Sequence, residues 1–386
     1  MDRAWKYDGE AEIGIDGFDN GVYCASPSFK MKLEAGKIYS FKVTAVNRGG
    51  ESFPSEILSA GVSSKGAKTV MVVNDFDRVA APISFASADT VLGGFLDDID
   101  AGVSYKRDIS YIGKMYEFRR QAEFVNTDNE GFGASYSDYE TVVIAGNTFD
   151  YPLLHGASLL KAGYNFASCS AGAICNGKAT LSSYCAADII CGKQLSTMIG
   201  RNSTSEDGYF AANRRFYVFP EKLQKVLGDY CAAGGRLIVS GANVASDIWN
   251  NLYVAQDSTN LNPAVNETAK SFATNKLKFK WEANHASHNG VVKSIQNPFG
   301  FPANASYRFY TQPNQFRYHV EAPDGISPAG SNCYTIMRYA ENNVSAAVAY
   351  KGSNYRVVTL GFPIETLTSQ DQIDSLITSI MKFLMK

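Results

Sequence analysis

Apolar and polar residues follow two different patterns along this chain. Between residues 33 and 62 they alternate singly, so that Tyr39 to Ala45 predict a strand with one buried face and with Ser40 among its outward positions. A Gly-Gly turn and a second short strand follow. From Lys68 onward the apolar residues form continuous runs, which are typical of strands buried on both faces.

Strand-like and helical segments alternate over the second part of the chain. The predicted strands are "KTVMVVND", "YETVVIAGN", "YNFASCS", "AADIICGKQ" and "RLIVSGANVASD", and the predicted helices are "SADTVLGGFLDDIDAG", "PLLHGASLLKAG" and "PEKLQKVLGDYCAAGG". This order predicts right-handed crossovers and a mostly parallel sheet covered on both faces, which is a doubly wound α/β fold.

A region of about residues 255 to 350 departs from this alternation. It is rich in Gly, Asn, Pro and aromatic residues and contains short alternating runs such as "YTIMRYA" and "VSAAVAY". Because the last strand, in "YRVVTLGFP", must return to the sheet, we predict a β-rich insertion packed on that sheet. The 386 residues then divide into a β module at 1–65 and an α/β domain at 66–386.

Charge and cysteine content exclude several classes of protein. The formal net charge is -2 and no Lys/Arg-rich run occurs, so we predict no nucleic-acid partner. No apolar stretch reaches the roughly 18 to 20 residues of a membrane helix, so no membrane insertion is expected. The seven Cys contain no C-x-x-C pair, and Cys169, Cys185, Cys191 and Cys231, which lie in or beside apolar runs, are expected to be small buried side chains. We predict neither a metal site nor a cofactor.

The N-terminal β pattern resembles a known module. Leu33, Gly36 and Tyr39 have the spacing of a tyrosine corner, in which a Tyr hydroxyl bonds to the preceding loop. Together with "AVNRGGESFPSE", they resemble the last strands of a fibronectin type III domain. Such a sandwich has about 100 residues, so residues 1–65 are expected to be a partial module that continues missing N-terminal domains of a longer protein.

The α/β part also carries a resemblance. "LQKVLGDYCAAGGRLIVSG" and the ending "YRVVTLGFPIETLTSQDQIDSLITSIMKFL" resemble the class I glutamine amidotransferase-like group of flavodoxin-like folds. With "VVNDFDRVAAP", the whole chain resembles the C-terminal half of secreted Bacteroidetes proteins labelled xanthan lyase-like or N-acetylmuramoyl-L-alanine amidase. The resemblance implies a secreted, periplasmic or cell-surface protein whose export signal lies outside this chain. It also implies glycan or peptidoglycan as the partner.

Polar residues at the predicted strand ends are the candidates for chemistry, because ligands of open parallel sheets bind at the carboxyl ends of the strands. The candidate catalytic residues are Asp75, Asp77, Ser170 and Asp247. The candidate ligand-binding residues are Asn74, Arg78, Asn147, Lys193, Asn243 and Ser246.

Two of these loops are expected to line one shared cleft. The carboxylates and Arg of "NDFDR" could bind a cation, hold a sugar hydroxyl or act as acid and base. Alternatively, Asp77 and Arg78 form an ion pair, or Asp75 caps a helix. Because Ser246 and Asp247 also follow a predicted parallel strand, they are expected at the same edge of the sheet.

Ser170 lies in "SCSAGA", which resembles the turn that carries the serine nucleophile in peptidases of the amidotransferase-like fold. A nucleophile elbow needs a following helix, but Asn176-Gly177 predicts a turn only a few residues later. The alternatives are Cys169 as nucleophile or a purely structural strand end. In the family comparison, Ser240 occupies the position where an amidotransferase has its Cys.

No histidine is a clear partner for Ser170. His155 lies near a strand end, His319 lies in a β-patterned run, and His285 and His288 lie in a polar segment without a third zinc ligand. We predict that no His reaches Ser170 and that its turn lacks tight strand-to-helix geometry. The favoured function is a non-catalytic glycan- or peptidoglycan-binding or positioning module. The alternative is a hydrolase or xanthan lyase-like enzyme acting at the strand-end cleft.

Overall fold

The computed structural model describes most of the chain. The described residues are 4–8, 21–24, 26, 28–47, 50–51, 56–64, 66–76, 83–86, 92–96, 115–119, 151–199, 213–215, 217–257, 260–264, 266–312 and 317–386.

Strands outnumber helices in the described chain. The strands are β1 (Ala4–Asp8), β2 (Gly21–Cys24), β3 (Ile38–Asn47), β4 (Gly50–Glu51), β5 (Leu58–Gly61), β6 (Thr69–Asn74), β7 (Ile83–Ala86), β8 (Leu92–Leu96), β9 (Met115–Arg119), β10 (Asn165–Ser170), β11 (Ala186–Gly192), β12 (Thr197–Ile199), β13 (Asn213–Arg215), β14 (Arg236–Gly241), β15 (Asn251–Asp257), β16 (Asn260–Ala264), β17 (Phe279–Ala283), β18 (Val291–Ser294), β19 (Ser306–Arg308), β20 (Gly325–Pro328), β21 (Cys333–Tyr339), β22 (Ser345–Lys351) and β23 (Arg356–Leu360). The helices are α1 (Tyr151–Lys161), α2 (Ala171–Cys175), α3 (Glu221–Ala232), α4 (Ser246–Trp249), α5 (Glu267–Phe272) and α6 (Gln370–Met385), with a π-helical turn at Ala273–Leu277 and a 3-10 turn at Ile364–Thr366.

Five parallel strands form the centre of the main sheet. Their spatial order is β10, β6, β11, β14 and β23, and each neighbouring pair is parallel. The chain therefore moves from β6 to one side and then crosses back to β11 and onward to the other side. The carboxyl ends of all five strands lie at one edge, which we call the strand-end edge. The predicted mixed α/β class with a parallel centre is confirmed.

Both faces of this parallel centre are buried under helices. Val70 and Val72 share one apolar core with α1 and α6, and Met71 and Val73 share the other with α2, α3 and α5. All seven residues of β11 are buried. The continuous apolar runs thus arise because successive side chains of each strand enter opposite cores. No described helix is both long and apolar enough to cross a membrane.

Antiparallel strands extend the sheet on both sides. On one side β22 pairs with β23, followed by β21, β18 and β19. The predicted strands in "YTIMRYA" and "VSAAVAY" are confirmed as β21 and β22. They come from the β-rich region and join the sheet, as expected of an extension that precedes the last strand.

The N-terminal strands join the same sheet on its other side. β5 pairs with β10, and β3 pairs with β5. The predicted tyrosine contact is present, because the backbone N–H of Glu34 donates to the hydroxyl of Tyr39 at 3.4 Å. The prediction for Ser40 is wrong: it is buried, and its hydroxyl lies 2.7 Å from that of Ser59. The register of β3 and β5 places Ser40 directly opposite Ser59, so the two hydroxyls can pair with each other away from water.

One predicted helix is a strand. The segment "SADTVLGGFLDDIDAG" has apolar residues at helical spacing, but Leu92–Leu96 forms β8, paired with β7 and β9. Gly93 and Gly94 are adjacent, and glycine is a poor helix former because it loses much conformational freedom in a helix. This cost disfavours the helix that the apolar spacing suggested. The strand predicted in "YETVVIAGN" lies outside the described residues.

Gly156 allows α1 to approach β10 closely. A Cβ at this position would lie 2.1 Å from the ring of Phe166. We predict that Gly156→Ala lowers the free energy of unfolding by about 1–3 kcal/mol, measured by urea denaturation, because the buried ring cannot move away without strain. Gly228 in α3 is the matched control, since nothing lies within 4 Å of its added Cβ. Gly228→Ala should be neutral or stabilising by up to about 1 kcal/mol, and equal effects of the two substitutions would contradict this explanation.

Candidate functional site

The strand-end edge is the first place to look for a site, and it carries a buried ionic cluster. His155 on α1 donates from Nδ1 to Asp188 Oδ2 at 2.7 Å and from Nε2 to Glu365 Oε2 at 3.3 Å. Tyr318 donates its hydroxyl proton to Glu365 Oε1 at 2.7 Å. The side chains of His155, Asp188 and Glu365 are fully buried. We call these four residues the His155 cluster.

The His155 cluster keeps its imidazole protonated. Burial alone lowers the pKa of His155, but the charges and hydrogen bonds of Asp188 and Glu365 outweigh it and raise the pKa to about 10. Both ring nitrogens then carry protons and donate to carboxylates at neutral pH. An imidazolium held in this way has no lone pair with which to accept a proton, so His155 is unsuited to act as a general base.

Ser170 is held as a helix cap. β10 ends at Ser170 and α2 begins at Ala171, so the strand passes directly into a helix, which is only five residues long. The backbone of Ser170 is nevertheless in the ordinary extended region, at φ -73 and ψ 153. Its Oγ accepts from the N–H of Ala173 at 3.2 Å. Within the described part of the chain, no hydrogen bond joins Ser170 to a histidine.

The candidate carboxylates after the strands are buried and bonded. Asp75 is 2% exposed, and Cys191 donates its thiol proton to Asp75 Oδ2 at 3.9 Å. Burial raises the pKa of Cys191 well above its ordinary value, and the nearby charges of Asp75, Glu365 and Asp188 add to this. A thiol at this position remains protonated, so Cys191 lacks the thiolate that nucleophilic chemistry needs.

Asp247 holds two loops in place at the start of α4. Its Oδ1 accepts from the backbone N–H of Ser196 at 2.7 Å and also from the Ser196 hydroxyl. Its Oδ2 accepts from the N–H of Val218 at 3.0 Å. The neighbouring Asn243 donates from Nδ2 to the carbonyl oxygens of Lys193 and Gln194, both at 3.2 Å. These contacts fix the loops after β11 and β14 to each other.

Ser246 and the buried Asp324 complete this arrangement. Asp324 Oδ2 accepts from the N–H groups of Ala245 and Ser246 at 2.6 and 2.8 Å. Burial raises the pKa of Asp324 to about 7, against the opposing backbone hydrogen bonds from Ser246 and Ala245. Its second oxygen has no hydrogen-bond partner among the described residues.

Of the five remaining candidate residues, the structure describes two, Asn74 and Lys193. Asn74 donates from Nδ2 to Glu56 Oε2 at 2.6 Å, and Lys193 contacts Glu321 through both carboxylate oxygens, at 2.8 and 2.9 Å. Asp77, Arg78 and Asn147 lie outside the described residues. The shared cleft therefore stays a prediction, although Asp75 and Asp247 do follow parallel strands at the same edge.

Aromatic side chains close the point between β6 and β11 where the crossover direction reverses. Phe76 stacks on Tyr151 at 5.9 Å between ring centroids and meets the edge of Tyr318 at 5.6 Å. A Cβ at Gly192 would lie 2.3 Å from the Phe76 ring, so this glycine lets the ring sit directly against the backbone. The usual ligand position of such sheets is thus filled by Phe76.

Sequence reasoning missed Asp188, Glu365, Tyr318, Glu321 and Asp324. Asp188 offers a signal, since a charged residue inside the apolar run "AADIICG" needs a buried partner. The other four stand in ordinary loop or turn sequences, and only the fold brings them to this edge. No group of three or more metal-ligating side chains occurs among the described residues.

This chain is only weakly similar to known proteins. No protein-family model matches the sequence, and no curated protein matches it. Among solved structures, the β-galactosidase of the Antarctic haloarchaeon Halorubrum lacusprofundi has a TM-score of 0.35 at 15% identity, over 62% of this chain and 27% of that one. An exo-β-1,4-mannosidase from Opitutaceae bacterium strain TAV5 has a TM-score of 0.32 at 12% identity, over 60% and 30%. An α-L-fucosidase isoenzyme 2 from Paenibacillus thiaminolyticus has a TM-score of 0.31 at 11% identity, over 63% and 31%. This chain spans less than a third of each of these proteins, and similarity this low carries no argument about its fold or activity.

Removing the positive charge of the His155 cluster should destabilise the folded protein. We expect His155→Gln to lower the free energy of unfolding by about 3–5 kcal/mol, because two buried carboxylates lose their cationic partner. Urea denaturation at neutral pH measures this loss. Lys225→Ala, which breaks the exposed pair with Asp229, should cost no more than about 1 kcal/mol. A similarly small loss for His155→Gln would show that the cluster is not ionised as described.

Asp324 should give stability a distinct pH dependence. Its folded pKa of about 7 lies above the ordinary 3.8, so its stabilising contribution is complete below the ordinary value and is lost as the pH rises through about 7. Asp324→Asn removes this titration and should flatten the decline in unfolding free energy between about pH 4 and 7, by at most about 1.4 kcal/mol per pH unit. Urea denaturation across this range measures the slope. Asp371→Asn, at a side chain 93% exposed, is the matched control for the loss of one carboxylate. An unaltered slope in Asp324→Asn would contradict the assignment.

Proposed function

We propose that the α/β domain is a non-catalytic module that binds or positions glycan or peptidoglycan, in an exported cell-envelope or polysaccharide-associated protein. The observation that supports a non-catalytic domain is that His155 is protonated and paired with two carboxylates. His155 is the histidine nearest the predicted nucleophile strand in sequence, and both of its nitrogens donate to carboxylates. A serine or cysteine in this region therefore lacks it as a proton acceptor.

The candidate nucleophiles support the same proposal. Ser170 Oγ is used as the cap of α2, and Cys169 is buried, which raises the pKa of its thiol to about 12. Ser240, at the position expected for an amidotransferase nucleophile, is fully buried and has no hydrogen-bond partner among the described residues. Nucleophilic catalysis requires an accessible side chain with an adjacent base. Each of these side chains lacks the base, the exposure or both.

The proposal includes two finer assignments of fold, a flavodoxin-like sheet and a partial fibronectin type III module. The five described parallel strands stand in the spatial order β10, β6, β11, β14, β23. When they are numbered by their order along the chain, this arrangement is 2-1-3-4-5, which is the strand order of flavodoxin-like, doubly wound sheets. The contact of Tyr39 with Glu34 supports a partial fibronectin type III module at the N-terminus. The glycan or peptidoglycan partner rests on the sequence resemblance to secreted Bacteroidetes proteins, in which such partners are expected.

Labelling and binding experiments together test this function. We expect the protein to remain unlabelled by a fluorophosphonate probe, because Ser170 lacks an activating base, and to sediment with insoluble peptidoglycan. Intact-mass spectrometry measures the label, and a pelleting assay measures the binding. A label lost in Ser170→Ala but retained in Ser240→Ala would instead establish a serine hydrolase. An unlabelled protein that does not pellet with peptidoglycan and binds no soluble glycan would exclude the binding function.

A further inference from the structure

Three polar side chains form an exposed group at the strand-end edge, outside the His155 cluster. Lys193, in the loop after β11, bonds to both carboxylate oxygens of Glu321. His319 Nε2 lies 3.9 Å from Glu321 Oε2. The side chain of Glu321 is 54% exposed and that of His319 is 26% exposed. We call these three residues the rim group.

The rim group carries no net charge at neutral pH. Burial would raise the pKa of Glu321, but the charge and hydrogen bond of Lys193 outweigh it and lower the pKa. Burial and the charge of Lys193 lower the pKa of His319, so its ring is neutral. One positive and one negative charge cancel, and a neutral imidazole supplies one donor and one acceptor.

The rim group has hydrogen-bonding capacity beyond its mutual contacts. A carboxylate offers about four lone-pair positions, and Lys193 donates to the two oxygens of Glu321. Neither ring nitrogen of His319 makes a hydrogen bond within the described part of the chain. The arrangement therefore offers acceptors on Glu321 together with a donor and an acceptor on His319, all within a few ångströms.

Aromatic packing and hydrogen bonds fix the segment that carries two residues of the rim group. Phe76 fills the crossover point between β6 and β11. Tyr318, directly before His319, is fixed between that aromatic ring and Glu365. Arg317 donates to the carbonyl oxygens of Glu365 and Leu367, both at 2.9 Å. The segment that presents His319 and Glu321 is thus held in place before any ligand arrives, which lowers the entropic cost of binding.

We propose that Lys193, His319 and Glu321 form a subsite for the hydroxyl groups of an uncharged sugar residue. This assignment rests on the proposed glycan-binding function and narrows it. Adjacent sugar hydroxyls are both donors and acceptors, which matches the mixed groups offered here. A uronic acid carboxylate fits poorly, because Glu321 already occupies Lys193 and would repel a second carboxylate.

Titration calorimetry with two soluble probes tests the subsite. The probes are the uncharged N-acetylglucosamine tetramer and the acidic galacturonic acid tetramer. We expect the wild-type protein to bind the uncharged tetramer more tightly. Glu321→Gln and His319→Ala should each weaken that binding by about tenfold or more, since a hydrogen bond to a charged group or a desolvated ring nitrogen is lost.

Glu267→Gln provides the matched control, because Glu267 also pairs with a lysine, Lys270, at an exposed site. It should leave the affinity unchanged, and thermal unfolding followed by circular dichroism should show all variants folded. If the wild type binds the uncharged tetramer but the rim variants bind it equally well, the subsite is wrong while the glycan-binding function stands. Preference for the acidic tetramer also overturns the subsite. If the wild type binds neither tetramer and does not pellet with peptidoglycan, the proposed function fails with it.

Discussion

A buried imidazolium between two carboxylates is the interaction on which the strand-end edge depends. His155 joins helix α1 to Asp188 in the central strand and to Glu365 in the turn after the last strand. Charges removed from water cost several kcal/mol each unless they are paired with good geometry. The fold must therefore hold α1, β11 and the 364–366 turn in register around this ring. Through Glu365, the same constraint extends to Tyr318 and the segment that follows it.

Other acidic side chains at this edge have comparable structural roles. Asp247 accepts hydrogen bonds from Ser196 and Val218, and Asp324 accepts from the first residues around α4. Loops at strand ends carry backbone N–H groups that no neighbouring strand pairs, and a buried loop must satisfy them. Carboxylates meet this need well, since each can accept several bonds. Both oxygens of Asp247 are used in this way.

The sequence predicts the layers of this protein better than its site. Continuous apolar runs identify β6, β11 and β14 because both faces of each strand are buried, and the contact of Tyr39 with the preceding loop can be predicted from local spacing alone. Residues 92–96 show the limit of spacing, since two glycines and neighbouring strands decide their conformation. The site depends on longer-range contacts: His155 and Glu365 lie 210 positions apart along the chain. Local patterns also failed for Ser40, because they carry no information about which strands flank it.

The buried and exposed groups of this edge are physically connected, which bears on where binding can occur. Glu365 accepts from Tyr318 through its carboxylate and from Arg317 through its carbonyl oxygen, so the two residues preceding His319 are anchored to the His155 cluster. The cluster is too buried to touch a ligand, but it determines the position of residues that are exposed. A ligand at the rim would then meet side chains whose backbone is already ordered, so little binding free energy is spent on ordering them. The buried charges therefore fix the backbone next to the rim group through Glu365, Tyr318 and Arg317.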